Sequence, residues 1–169
     1  MAEAEFVTQL VLYLLKNGYQ ERSITVLTFY LGQNKKLRET IRGTISAPFN
    51  PKLIDVQTVD NYQGQENDII ILSCVRSNTE KKGGFSVIEN RINVALSRAR
   101  NGLFVVGNIK MLAQAYNYLK SNKNIWTDIR KLAKEKDTLM YGTTEGIELA
   151  CVRQEIEKFV IDKNLEKKN

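Results

Sequence analysis

Apolar positions recur along the chain with two different periods, and their alternation predicts the architecture. Phe6, Val7, Leu10, Val11, Leu14 and Leu15 fall at helical spacing, and Asn17-Gly18 closes that helix. Ile24 to Tyr30, ITVLTFY, is an unbroken β-branched and aromatic run, the mark of a buried strand. Gly32 breaks it, and residues 33–41 have the polarity of a surface helix. Leu53 to Val59 and Asp68 to Val75 predict two more strands, separated by the polar turn DNYQGQE around Gly64. Ile92, Ala95, Leu96 and Ala99 sit at i, i+3, i+4 and i+7, predicting a helix that Asn101-Gly102 stops. Arg98 and Arg100 then flank its apolar stripe. Leu103 to Val106 is a continuous apolar run, as in a strand covered on both faces.

Helices alternating with strands imply an α/β fold with a largely parallel sheet layered between helices. Ligand sites in such sheets gather at the carboxyl ends of the strands. Ala47-Pro48-Phe49-Asn50-Pro51 reads as a loop, and residues 76–84 as a polar, mobile one ending in Gly83-Gly84. Past Asn108 the character changes. Short amphipathic helices are expected over 111–119 and 126–133, another over 147–160, and a frayed charged tail over 162–169. The reading is therefore a domain over 1–110 and a small helical C-terminal extension over 111–169.

Composition narrows the chemistry mainly by exclusion. The 169 residues are 43% hydrophobic and 26% charged, ordinary values for a globular protein. The net charge of +6 permits a polyanionic partner without demanding one. The sequence has no histidine, which removes His-based triads and His metal sites. Cys74 and Cys151 lie far apart, so zinc ligation within this chain is not expected. No basic, signal-like start and no membrane-length apolar run appear, so a cytoplasmic or nuclear, intracellular setting is expected.

Three stretches in fixed order carry the strongest signal: ITVLTFYLGQ at 24–33, VQTVDNYQGQENDIIILSCVRSN at 56–78, and NRINVALSRARNGLFVVGN at 90–108. Together they resemble motifs IV, V and VI of superfamily 1 helicases, in the up-frameshift-like branch. The opening EAEFVTQLVLYLLKNGY and the segment IENR are similar to the helicase core of X-box-factor-type zinc-finger proteins. The resemblance implies the second RecA-like domain (P-loop NTPase-type) of a two-domain motor. By that resemblance Arg98 in SRAR is the arginine finger, and Glu66 in QGQE contacts the nucleotide ribose. Gly64 lets backbone approach the nucleotide closely, and Arg100 is a further nucleotide-side cation. Thr28, Tyr30, Gln33, Thr58, Asn61, Gln63, Ser73, Arg76 and Ser77 are candidate contacts to a nucleic-acid backbone. Phe29 stands where the family usually has proline. Read without the resemblance, Glu66 is a solvated turn carboxylate, Gly64 a turn former, and the arginines are cations at a helix carboxyl end.

The sequence holds no GxxxxGK[ST] loop and no acidic pair after a strand. The resemblance assigns those elements, and with them ATP and Mg²⁺ binding, to a preceding motor domain, and reads the start at MAEAEF as a fragment boundary. The chain alone is then expected to be inactive. Single-stranded RNA or DNA and the preceding RecA-like domain are the implied partners, with no membrane. The competing reading is a non-catalytic helicase-like domain that docks nucleic acid or protein.

Overall fold

A computed structural model of the chain describes residues 2–75, 84–115, 124–136, 138–141 and 148–151. Four parallel strands form one side of the sheet: β1 (Ile24–Thr28), β2 (Asp55–Thr58), β3 (Asn67–Ser73) and β4 (Ala99–Gly107). Two antiparallel strands extend it, β5 (Leu139–Tyr141) and β6 (Glu148–Cys151), giving the order β2-β1-β3-β4-β6-β5.

β1, β3 and β4 read as largely apolar runs because both of their faces are covered, whereas β2, at the sheet edge, alternates buried and part-exposed residues. On one face Ile69 and Ile71 pack with Val26, Phe104 and Val106 beneath α1 (Ala2–Lys16) and α2 (Leu31–Thr44). On the other, Ile70, Leu72, Leu103 and Val105 pack beneath α3 (Glu89–Leu96), α4 (Ile109–Gln114) and α5 (Ile125–Glu135). Ile69 to Leu72 are all about 1% exposed or less. Burying each such side chain stabilises the fold by about 1.5–3 kcal/mol. The result is the three-layer RecA-like α/β fold with helices toward the carboxyl terminus.

Two local readings are corrected. The helix predicted to run through Ala99 ends at Leu96, because Ala99 already pairs with Asn67 at the start of β4. Ala99 is buried in either geometry, so helical spacing and strand entry look alike at that position. The helix expected over 147–160 begins instead as strand β6, whose Glu148–Cys151 pair with Gly107–Phe104 of β4. A ladder partner outweighs local propensity there. The rest of that stretch, the tail and loop residues 76–83 lie outside the described residues, and so do the candidates Arg76 and Ser77.

Helix α5 covers the segment expected over 126–133, whereas α4 starts earlier than the one expected over 111–119 and ends at Gln114, with Ala115 extended and 116–119 outside the described residues. Asn124 joins them: its Oδ1 accepts from Trp126 N at 3.1 Å, and its Nδ2 donates to the Leu112 carbonyl at 2.8 Å. Trp126 is fully buried and donates from Nε1 to the Ser86 carbonyl at 2.6 Å. Among the described residues no helix is long and apolar enough to cross a membrane.

Candidate functional site

The candidate residues separate to opposite ends of the sheet. Gly64, Glu66, Arg98 and Arg100 gather at the amino ends of β3 and β4, whereas Thr28, Thr58 and Ser73 end β1, β2 and β3. The expectation that all of them lie at the carboxyl ends holds for the second group only. β3 separates the two groups by about 20 Å, at ~3.3 Å per residue.

At the amino end, Arg98 occupies the turn between α3 and β4. Its Nε donates to the Val94 carbonyl at 2.9 Å and to Ser97 Oγ at 3.2 Å, and its Nη2 donates to Ser97 Oγ at 2.8 Å. Its Nη1 donates across to the Gln65 carbonyl at 3.2 Å. A guanidinium carries five N–H groups. These bonds therefore fix the half-buried side chain and leave one N–H on each terminal nitrogen without a partner among the described residues. That is the fork geometry that grips a phosphate.

Arg100 begins the exposed side of β4. Its Nε pairs with Glu66 Oε1 at 3.1 Å, its Nη1 reaches Asp68 Oδ1 at 3.8 Å, and both Arg100 and Glu66 are more than half exposed. Such a surface pair contributes about 0–1 kcal/mol. Neither arginine lies within the helix, but Arg98 still caps it: its Nε bond reaches the Val94 carbonyl in the last turn of α3, so the account of a cation at the helix carboxyl end holds for Arg98, whereas Arg100 is placed by strand β4. Gly64 has φ +80°, a left-handed conformation that lets residues 63–66 turn beneath Arg98.

Asn67 was not singled out by the sequence, yet it braces this end. Its N–H donates to the Arg98 carbonyl at 3.1 Å, and its Nδ2 to the Arg22 carbonyl and Thr25 Oγ1, both at 2.9 Å. Tyr62 Oη lies 3.2 Å from Thr25 Oγ1, and burial raises the phenol above its ordinary pKa.

At the carboxyl end, Thr58, Thr28 and Ser73 form one row, since Thr28 is in register with both of the others. All three are buried. Gln33 Nε2 donates to Ser73 Oγ at 3.1 Å, and Ser73 Oγ donates to Glu3 Oε1. Thr28 Oγ1 has no partner among the described residues. Tyr30 Oη accepts from Phe85 N at 2.9 Å, and the two rings meet at a tilt of 39° with centroids 5.7 Å apart. Arg91 lies over the half-exposed Phe85 ring at 4.5 Å and pairs with Asp60 at 2.8 Å. Asn61 and Gln63 are exposed on the segment between β2 and β3. Solvent therefore reaches Tyr30, Gln33, Asn61 and Gln63, and not the buried threonines.

Glu3 is the residue most open to discovery from sequence. It extends the stripe Val7, Leu10, Leu14 by one turn, so a carboxylate stands on the buried face of α1. Its Oε1 accepts from both Ser73 Oγ and Val75 N, the latter at 2.8 Å, and Val75 has the strained φ of +66°. Burial raises the Glu3 carboxyl above its ordinary value, against the pull of these two bonds.

Comparison with known proteins decides the family. A family model described as an AAA domain matches residues 1–110, the span that holds the sheet's parallel strands and both groups of candidates. The chain belongs to that family, within the up-frameshift-like branch of superfamily 1 helicases. It is 46% identical to mouse NFX1-type zinc finger-containing protein 1 over 134 residues, 76% of this chain and 7% of that protein. It is 39% identical to the fission-yeast helicase required for RNAi-mediated heterochromatin assembly 1, over 79% of this chain and 13% of the relative. An Arabidopsis homologue of regulator of nonsense transcripts 1 matches at 36% over 96% of this chain and 12% of its own length. The chain thus spans only a small part of these family members and is a helicase-like domain within that family's pattern.

Proposed function

We propose that the chain is the second motor domain, over 1–110, of an ATP-dependent RNA or DNA helicase-like enzyme, with residues 111–169 as an extension whose described part adds helix α5 and the antiparallel strands β5 and β6 to that domain. The observation that carries this reading is the Arg98 guanidinium, pinned by Val94, Ser97 and Gln65 with two N–H groups left over. Phosphoryl transfer requires positioning and charge neutralisation more than a protein nucleophile. A pinned guanidinium meets that requirement, because little side-chain freedom remains to be lost when it engages a phosphate.

The donor set fits one side of a nucleotide. Arg98 and Arg100 supply cations, the Glu66 carboxylate accepts hydroxyl hydrogen bonds, and Gly64 keeps the turn narrow. ATP, when bound, supplies the labile phosphoanhydride. Among the described residues no three acids or cysteines gather to hold a metal. Mg²⁺ and the phosphate cradle are assigned in this reading to a preceding domain. Tyr30, Gln33, Asn61 and Gln63 would touch a single strand running across the carboxyl ends, and Thr28, Thr58 and Ser73 would shape the surface beneath it. Sequence-independent backbone contacts of this kind are usual for single-strand binding. Helicase names among the relatives, including the yeast ATP-dependent helicase NAM7, support the same reading.

The test compares ATP turnover by the intact protein with and without Arg98→Ala. A fall in kcat of about 10³ or more, with nucleotide affinity little changed, is expected of a finger. The docking-module reading instead treats Arg98 as a structural staple. No turnover in the parent protein would select it, and unchanged turnover in the variant would remove the finger role from Arg98.

A further inference from the structure

A second group of cations sits at the amino end of the free edge strand, away from Arg98. Arg38 and Arg42 stand one turn apart on α2, Arg22 precedes β1, and Lys52 lies in the 3₁₀ turn before β2. All four line one cleft of about 310 Å³. A single acid, Asp55, shares the lining, so four cations against one carboxylate leave an excess of three positive charges. Asp55 also accepts from Gln57 Nε2 at 3.0 Å.

The cleft is more than a solvated basic patch. Arg38 is half-buried and fixed: its Nε donates to Asn34 Oδ1 at 3.1 Å, and its Nη2 to the Val56 carbonyl. Arg22, Arg42 and Lys52 are exposed and form no ion pair among the described residues. The buried side chains of Ile41 and Ile54 form part of the wall, where an apolar surround strengthens the field. Like charges converging on a concavity repel one another, and an anion is what offsets that repulsion.

The same bonds select the kind of anion. Asn34 Nδ2 and Arg38 Nη2 both cover the Val56 carbonyl on the outer edge of β2. An acidic peptide therefore finds that edge position already taken and cannot add there as a strand. Guanidinium forks match phosphate oxygens, and three net charges suit a phosphate group or diphosphate better than one carboxylate. We propose that this cleft binds phosphate groups, with Arg42 and Lys52 closing on a fixed Arg38. Those groups come either from a free phosphate compound or from a nucleic-acid backbone. α2 favours the backbone by its direction: it starts beside Gln33 at the carboxyl end of the sheet and carries Asn34, Arg38 and Arg42 at i, i+4 and i+8 along one face to the cleft. The proposal does not depend on the role given to Arg98.

The ¹⁵N-labelled chain would be titrated with pyrophosphate and, separately, with a short oligouridylate, alongside the double variant Arg42→Glu/Lys52→Glu. Pyrophosphate should shift the Lys52, Leu53 and Ile54 amides, and the variant should bind it at least about tenfold more weakly. If the source is a backbone, oligouridylate shifts the same amides. The variant's salt slope then falls by about 1.4, at ~0.7 per lost phosphate contact. If only pyrophosphate shifts them, the ligand is a free phosphate compound. Neither probe shifting these amides, or equal affinity in the variant, overturns the proposal. Both side chains are exposed, so melting temperature should hold. Should the reversal unfold the chain, Arg42→Gln/Lys52→Gln gives the same reading.

Discussion

The backbone N–H of Asn67 donates to the carbonyl of Arg98 across 3.1 Å, so the first residue of β3 fixes the residue that precedes β4. Through that bond the guanidinium of Arg98 is located from both sides: its backbone by Asn67, its side chain by Gln65 and Ser97. Geometry held this tightly makes the chemical identity of the side chain decisive.

Arg98→Lys in the intact protein should therefore fail to restore turnover. A lysine ammonium is a point charge without the planar fork, and it cannot keep the Gln65 and Ser97 bonds while presenting two parallel N–H groups. The measurement is kcat beside that of Arg98→Ala. Near-normal turnover with lysine would make Arg98 a mere local cation.

Glu66→Gln separates ligand contact from structure. Its pair with Arg100 is exposed on both sides, so the chain's stability should change by about 0.5 kcal/mol or less. If the carboxylate holds a ribose, ATP affinity should fall about 10- to 150-fold, with poorer discrimination against 2′-deoxy-ATP. A lowered melting temperature with unchanged ATP binding would assign Glu66 to the fold alone.

Glu3 gives a pH dependence with a definite sign. Burial raises its folded-state pKa above the ordinary 4.5, so the folded chain holds this proton more tightly than the unfolded one. Stability should fall as pH rises from about 4.5 through the raised folded value, and level off above it. Both of its hydrogen bonds end on the same oxygen, Oε1. A glutamine amide oxygen can accept both without burying a charge. Glu3→Gln should flatten that slope and match or exceed wild-type stability at pH 7, read by denaturant melts across pH. Glu3→Ala should cost about 1–3 kcal/mol by stranding the Val75 N–H and the Ser73 hydroxyl.

Two glycines should respond oppositely to alanine. A Cβ at Gly107 would meet Cys74 Cβ at 2.8 Å, so Gly107→Ala should destabilise by about 1–3 kcal/mol as two packed strands are forced apart. At Gly43, in α2, a Cβ meets nothing within 4 Å. Gly43→Ala should stabilise by roughly 0.5–1 kcal/mol through a stiffer unfolded chain. Thermal melts of the two variants check both signs.

β3 and β4 were legible because burial on both faces leaves no polar alternation to misread, as in IIILS and GLFVV. The end of α3 was not: Ala99 satisfies helical spacing and strand burial alike, and only its pairing with Asn67 decides between them. Strand β6 escaped for the same reason, since its partner β4 lies more than forty residues earlier. The candidate residues were legible as types through their motifs, but their division between two ends of the sheet was not. The bracing by Asn67 and the stacking of Arg91 on Phe85 depend on contacts between distant segments that no local pattern encodes.

Residues 59–66, which join the carboxyl end of β2 to the amino end of β3, number only eight. A parallel crossover ordinarily uses a dozen or more residues and takes up its slack in a helix. Here the strap must travel back along the sheet with little length to spare, and its first turn is already wound as 3₁₀ at Asp60–Tyr62. Asn61 and Gln65, whose carbonyl holds Arg98, therefore lie only four residues apart on the same strap. The crossover is thus a short covalent link between the two ends of the sheet that carry the candidate residues.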